Sequence, residues 1–362
     1  MTNHKPHQPT IFLTGATGFL GSYLLKLFLE NNHKVYALSR GKKSQDTRGR
    51  IISVLEFWGG PCLKKIINLI VLNGDVTLKN LGLSRPDRSL LQAKTEQIFH
   101  SAAITDLKTE SKQINKVNIE GTRNILNLGL EWHKKGCLKK INHISTAYIY
   151  GDYQKTFKES DFYKRQKFYT NYEQSKFEAE KIVQQFRRKG LWIDIYRPSM
   201  VLGESKSGKT FQLKHIYQFL NLCKVEIFQS LPIKNGYVSL VPIDITCKAI
   251  YLLNTMNKVR NMVFHPFPRK LTSIEEILNI GAKLIGFDPP QAVELKDFPT
   301  LNLTPVQRML LNDTVLSVNF KTKINSDITN NLLEKYRFKI PNMDNKILSL
   351  ILRYSINKKR GK

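Results

Sequence analysis

Tyr172 and Lys176 stand four residues apart in the run Asn171-Tyr172-Glu173-Gln174-Ser175-Lys176, and their types and spacing suit proton transfer. On a helix the two share a face. A phenol ordinarily titrates near about 10, too high to exchange protons well at neutral pH. An ammonium beside it favours the phenolate and lowers that value. Tyr172 then suits a general acid toward a developing oxyanion. Thr146, just past the apolar run Lys140–Ile144, offers that oxygen a second hydrogen bond. Asn118 is placed to order the lysine through a water. Taken alone, a Tyr-x-x-x-Lys pair also describes an ordinary solvated helix face. What singles this one out is its place after Thr146 and after a glycine-rich turn.

That turn lies in Thr10-Ile11-Phe12-Leu13-Thr14-Gly15-Ala16-Thr17-Gly18-Phe19-Leu20-Gly21. A short apolar run is followed by three glycines at G-x-x-G-x-x-G spacing and then by an apolar-rich helix, Phe19 to Glu30. Strand, glycine turn and helix open a dinucleotide-binding unit. The glycines permit the turn, let the main chain approach a pyrophosphate and let helix and strand pack closely, while free N–H groups at the helix start meet phosphate charge. Thr14, Gly15, Thr17, Gly18, Phe19, Leu20 and Gly21 are therefore expected at a cofactor. Glycine spacing by itself equally fits a tight turn before any helix; the strand and helix around it favour the nucleotide.

The elements that must position these groups alternate strand and helix. Lys34 to Leu38 reads as the second strand, followed by Ser39, Arg40, Gly41, Lys42 and Lys43. An NAD-preferring site carries an acid here for the ribose hydroxyls; a guanidinium binds a 2′-phosphate instead. Ser39 and Arg40 thus predict NADPH over NADH, against the alternative of a basic surface loop. Ile66 to Leu72 gives a third strand, after which Asp75, with Val76, either accepts from an adenine amino group or caps the next turn. Gln97 to His100 is a fourth strand running into Ser101, Ala102 and Ala103, small enough to lie against a cofactor. Asn118 falls in a helical segment, Glu110 to His133; Lys140 to Ile144 is a fifth strand; a helix runs from Asn171 to about Arg188. This alternation predicts an α/β fold, a Rossmann-type doubly wound parallel sheet. Residues 1–210 are expected to form the NAD(P)-binding domain and 211–362 a smaller C-terminal substrate-binding region, interleaved with the last strands.

In order, GATGFLG, GDVTLKNLGLS, HSAA, NIEGT, HISTAYIYG, YEQSK and YRPSMVLGES resemble the extended short-chain dehydrogenase/reductases. More narrowly they resemble the thioester reductase-like branch, which includes fatty acyl-CoA reductases. Gly74 to Ser84 and Val241-Pro242-Ile243-Asp244 fit that branch best. The resemblance implies a catalytic set of Thr146, Tyr172 and Lys176, completed by Asn118. It places Tyr172, Lys176 and Pro198 beside the nicotinamide cofactor as well. It implies hydride transfer from NADPH to the carbonyl carbon of an acyl thioester, collapse to aldehyde and thiol, and a possible second reduction to alcohol. The thiol is coenzyme A or a carrier's phosphopantetheine, and any carrier protein is expected in trans. A nucleotide-sugar epimerase or dehydratase on the same scaffold, and a cofactor-sensing binding protein without catalysis, are the competing functions.

Composition narrows the classes further. The net charge is +28, from 57 basic and 29 acidic residues, and 41% of residues are hydrophobic. The lysines are dispersed and no RNA-binding or zinc-finger signature appears, so nucleic acid is not the expected partner. Cys62, Cys137, Cys223 and Cys247 form no C-x-x-C pair and lack histidines at ligand spacing; free thiols and no metal are expected. The polar start, Met1 to Pro9, and the lack of an apolar run of about 18 residues predict a cytoplasmic protein. Gly203 to Thr210 matches the phosphate loop G-x-x-x-x-G-K-T, but Arg197 and Pro198 before it fit poorly with a central buried strand. Helices are expected at Phe211–Val225 and Ser273–Ile285, and a strand at Asn261–His265. Phe211, Phe219 and Phe228 either line an acyl pocket or fill the core. The tail, Lys346 to Lys362, is either a closing helix or a basic amphipathic segment making peripheral membrane contact. The sequence sets no oligomeric state.

Overall fold

The computed structural model describes residues 7–41, 46–107, 109–213, 216–256, 259–298, 303–311 and 322–359. Lys42 and Lys43 lie outside the described residues, as do residues 1–6 and the last three of the basic tail. The chain divides into two units. The first comprises Met1–Thr146, Gln174–Arg197 and Ile250–Phe264; the second comprises Ala147–Glu173, Pro198–Ala249 and His265–Lys362. The units alternate along the chain, and residue 210 lies inside a second-unit segment.

In the first unit β1 (Ile11–Thr14), α1 (Phe19–Glu30), β2 (Val35–Ser39), α2 (Thr47–Trp58), β3 (Leu69–Asn73), α3 (Arg85–Lys94) and β4 (Gln97–His100) follow in turn. They are succeeded by α4 (Ser111–Asn115), α5 (Gly121–Lys135), β5 (Lys140–Ile144), α6 (Asn171–Arg188) and β6 (Ile193–Tyr196). With the short strand Val263–Phe264 these make a seven-stranded sheet, in the order Val263–Phe264, β6, β5, β4, β1, β2, β3. Its pairings are all parallel, with Thr14 level with Leu38 on one side and His100 on the other. β1, β2, β5 and β6 are buried at every position, as expected of strands covered by helices on both faces. Phe12, Ile98, Ile141 and Ile193 on the strands pack with Ile125, Trp132, Ile182 and Phe186 from α5 and α6 in one core.

The expected third strand starts late. Pro61–Asn68 winds as 3₁₀ turns after Gly59 and Gly60, both at positive φ, and β3 begins only at Leu69, opposite Val35. Pro61 fixes a helical φ at the start of that stretch, and Ile67, 91% exposed, has no sheet face to cover. The expected helix from Glu110 to His133 is broken into α4, a π turn at Lys116–Glu120 and α5.

The second unit has its own core, built from helices Ile216–Lys224, Ile274–Ile285 and Asn345–Lys359. Met200–Leu202 pairs with Leu240–Pro242 in parallel, and Tyr237–Val238 with Thr272–Ser273 in antiparallel. The observed helix Ile216–Lys224 is shorter than Phe211–Val225, and the strand Val263–Phe264 shorter than Asn261–His265. Phe219 and Phe228 are buried in this core, which is the plain-core alternative for them. Leu348, Ile351 and Leu352 of the C-terminal helix are buried there too. These three residues of that helix therefore close the core. Among the described residues no helix is long and apolar enough to cross a membrane.

Gly203–Thr210 is drawn into its own turn. Glu204 N–H donates to Lys209 O, Gly208 N–H to Glu204 O, Ser205 N–H to Asp244 Oδ1 and Lys209 N–H to Ser207 Oγ. Four of the loop's amides, those of Gly208 and Lys209 among them, thus have partners within the protein, and the next helix begins only at Ile216.

Candidate active site

In this strand order β1 lies between β2 and β4, and successive crossovers leave it on opposite sides. Open α/β sheets bind ligands in the crevice at the carboxyl ends of strands at such a switch point. A cavity of about 190 Å³ opens there, lined by residues that follow β1 (Gly15, Thr17, Gly18), end β2 (Leu38, Ser39, Arg40), follow β3 (Gly74, Asp75, Val76) and follow β4 (Ser101 to Ile104), together with Arg50 and Val117. Ten of the residues expected at a cofactor line it: Gly15, Thr17, Gly18, Ser39, Arg40, Asp75, Val76, Ser101, Ala102 and Ala103. Thr14 is fully buried beside it and accepts from Ala102 N–H. Phe19, Leu20 and Gly21 open α1 and are not part of the lining. Pro198 belongs to the second unit.

The turn is built around glycine. Gly15 sits at φ +74°, and a Cβ there would come within 2.6 Å of the Ser101 and Ala102 main chain. A Cβ on Gly21 would lie 2.1 Å from the Gly15 carbonyl, so α1 packs against the turn only without a side chain. Gly18 is the extended N-cap of α1 and brings no side-chain cap, leaving the helix start to main-chain donors.

The far end of the cavity is basic. Arg40, 62% exposed in its side chain, lies 3.4 Å from Asp75 Oδ2. Asp75 Oδ1 accepts from Thr77 N–H at 2.8 Å, the turn-capping alternative for this residue. Burial pushes the Asp75 carboxyl up, but the Thr77 amide and hydroxyl and the Arg40 charge together hold it below its ordinary value. Arg50 was not anticipated. From the first turns of α2, whose N-cap Asp46 accepts from Gly49 N–H, it donates to the Arg40 carbonyl and, at 3.3 Å, to Thr17 Oγ1. Burial, with the charge of Arg40, lowers its pKa. The sequence signal was a second arginine ten residues past Arg40, legible only once Thr47–Trp58 is read as a helix. A glycine turn that admits no side chain, small residues after β4 and two guanidiniums at one end suit the phosphates and ribose of a dinucleotide.

Lys176 is 3% exposed and its ammonium donates to Ile144 O at 2.7 Å. This ties α6 to the end of β5, two residues before Thr146, itself 3% exposed. Burial pulls the Lys176 pKa down to about 8, partly offset by the Glu180 carboxylate. Glu180 in turn forks onto the buried Arg197 at 2.8 to 3.2 Å. Tyr172 stands one helical turn before Lys176 in α6, in the stretch assigned to the second unit. Asn118 sits in the π turn. Its Oδ1 accepts from Ile104 N–H at 2.8 Å, and its amide donates to Ile104 O at 3.0 Å and Ser175 Oγ at 2.9 Å. Asn118 thus meets α6 at Ser175, the residue before Lys176. Among the described residues no His, Cys, Asp and Glu group could hold a metal.

Comparison with known proteins matches residues 13–250 to the family model described as Male sterility protein, an NAD-binding domain. The chain is 26% identical over 330 residues to the nonribosomal peptide synthetase asaC of Aspergillus flavus, covering 86% of this chain and 31% of that protein. It is 31% identical over 151 residues to fatty acyl-CoA reductase 1 of Rattus norvegicus, covering 39% of this chain and 28% of that protein. The chain thus spans a minor part of the length of these relatives. The terminal R domain of the myxalamid PKS-NRPS biosynthetic pathway has the same fold, with a TM-score of 0.81 at 23% identity over 98% of this chain and 92% of that one. With the family model covering more than half of its length, the glycine turn and the Thr146, Tyr172 and Lys176 positions included, the chain belongs to the Male sterility protein family, of the extended short-chain dehydrogenase/reductase, thioester reductase-like type.

Proposed function

We propose that this protein uses NADPH to reduce an acyl thioester, carried on coenzyme A or on a carrier's phosphopantetheine, to the aldehyde and free thiol. The observation that carries the reading is the Lys176 ammonium held on the Ile144 carbonyl, which fixes the lysine at the strand end that bears Thr146. The cofactor supplies the hydride to the carbonyl carbon. The protein's part is to hold and neutralise the oxygen. Tyr172 delivers its phenolic proton to the developing oxyanion, and Thr146 donates a second hydrogen bond to it. Lys176, one turn along α6, favours the phenolate that Tyr172 becomes. Its burial raises the value of that charge, because little water competes for it. The hemithioacetal then collapses: its hydroxyl proton returns to the Tyr172 phenolate, the C–S bond breaks to give the aldehyde, and the departing thiolate takes up a proton from water as the free thiol.

The preference for NADPH rests on Arg40 and Arg50 at the end of the cavity where Ser39 stands in place of an acid. Membership of a branch that includes fatty acyl-CoA reductases and synthetase reductase domains supports a thioester over a nucleotide sugar. The test is incubation of the purified protein with NADPH and a series of acyl-CoA thioesters, reading nicotinamide absorbance and trapping aldehyde. Oxidation of NADPH matched by aldehyde and free thiol is expected. Turnover of a nucleotide sugar without net cofactor consumption would replace this reading.

A further inference from the structure

A line of buried hydrogen bonds runs from the glycine turn to the helix that carries Lys176. Ala102 N–H meets Thr14 Oγ1 at 3.3 Å; Thr14 Oγ1 meets His100 Nδ1 at 2.8 Å; His100 Nε2 meets Thr122 Oγ1 at 3.1 Å. Thr122 Oγ1 donates to Asn118 O at 2.7 Å, and Asn118 donates to Ser175 Oγ at 2.9 Å. Thr14, His100, Thr122, Asn118 and Ser175 are each at most 2% exposed, so solvent cannot stand in for a missing partner.

The donors can be assigned by elimination. The Thr122 hydroxyl spends its single hydrogen on the Asn118 carbonyl, so toward His100 it can only accept. His100 must then carry its proton on Nε2. A neutral ring with Nε2–H has a bare Nδ1, which accepts from the Thr14 hydroxyl, and Thr14 Oγ1 in turn accepts from Ala102 N–H. The bonds run in one direction from the cavity wall to Asn118. A second ring proton would set two donors against each other at Nδ1 unless Thr14 turned away from it. The surroundings favour the neutral ring: the site is fully buried, the Lys176 ammonium faces it from α6, and the His143 ring lies 5.6 Å away on β5.

We infer that His100 is a positioning residue, which as the neutral Nε2–H tautomer locks the glycine turn, through Thr122 and Asn118, to the base of α6 beside Lys176. Asn118 has two tasks in this arrangement. It clamps both polar main-chain groups of the cavity-lining Ile104, and it reaches Ser175. The π turn suits that purpose, since the extra residue redirects Asn118 within a helix that otherwise continues on both sides. The inference rests on the reductase reading for its kinetic consequence and on geometry alone for its tautomer.

Two measurements test it. In protein labelled with ¹⁵N-histidine, the His100 ring, assigned by its loss in His100→Gln, is expected to show a protonated Nε2 and a bare Nδ1, unchanged from about pH 8 to about pH 5.5. A protonated Nδ1, or a ring taking up its second proton near the ordinary value of about 6.5, would overturn the assignment. In the reductase assay Thr122→Val, which keeps the shape and deletes the acceptor, is expected to lower kcat by about tenfold or more with the cofactor KM changed by less than about threefold. Thr122→Ser is expected to restore kcat to within about twofold of the parent. An unchanged kcat in Thr122→Val, or equal losses in Val and Ser, would refute positioning. If the parent protein reduces no thioester, the reductase reading falls while the tautomer measurement still decides the inference.

Discussion

Arg50→Ala should abolish most of the proposed preference for NADPH over NADH, and the size of the change can be worked from the site. Arg50 is half-buried and braced by the Arg40 carbonyl and Thr17 Oγ1, so little side-chain freedom is lost when an anion binds. Arg40 is 62% exposed and already engaged with Asp75, so its share is reduced by solvent. A charge-assisted hydrogen bond contributes about 1.5–3 kcal/mol. The lower half of that range suits a site open to water, and about 1.5–2 kcal/mol corresponds to a roughly 10- to 30-fold weaker Kd for NADPH. NADH has no 2′-phosphate, and its Kd should move by less than about threefold, the residue of losing the brace on Thr17. Binding of each cofactor to parent and variant, followed by calorimetry or nicotinamide fluorescence, gives the two ratios directly. Equal weakening of both cofactors would refute the phosphate contact and leave Arg50 a brace for the Arg40 loop.

Further expectations concern charge and proton. Lys176 needs its proton to favour the Tyr172 phenolate, and burial brings its pKa to about 8; kcat should therefore fall as pH rises through about 8, and a profile flat to pH 10 would contradict the role. Burial raises the Glu173 carboxyl to about 8, although the Tyr169 and Thr170 amides pull it the other way. Its folded value lies above the unfolded value of about 4.5, so the folded chain keeps a proton that the unfolded chain releases. The stability it contributes is complete below about 4.5 and is lost as pH rises to about 8, at no more than about 1.4 kcal/mol per pH unit. Glu173→Gln should remove that slope, read as Tm against pH, and an identical slope in parent and variant would contradict it.

The parts legible in the sequence are those where one local signal fixes one local structure. β4 and β5 were readable to the residue, because short apolar runs give way at once to the small residues Ser101-Ala102 and Ser145-Thr146. The Asn171–Arg188 helix is announced by Thr170, whose hydroxyl accepts from Glu173 N–H, while a carboxyl oxygen of Glu173 accepts from Tyr169 N–H. The edge strand was misread because Ile66 and Ile67 look like strand residues; only the register with β2, set at Leu69 opposite Val35, decides where pairing starts. Arg50 is not legible because it reaches Thr17 and the Arg40 carbonyl only through the fold, from a helix that no glycine turn or strand end marks as part of a cofactor site. The Thr14–His100–Thr122 line was invisible for a different reason: its members are 86 and 22 residues apart, and only the parallel register of β1 with β4 and the packing of α5 bring them together.

The central claim is that Tyr172 protonates the oxygen of a reduced acyl thioester. It is tested most directly by comparing the parent protein with Tyr172→Phe in NADPH oxidation driven by acyl-CoA, with NADPH Kd measured on the same samples. Turnover in the parent, its loss in the variant by about 10²-fold or more and a Kd within a few-fold are predicted. A variant that oxidises NADPH as fast as the parent would contradict the account.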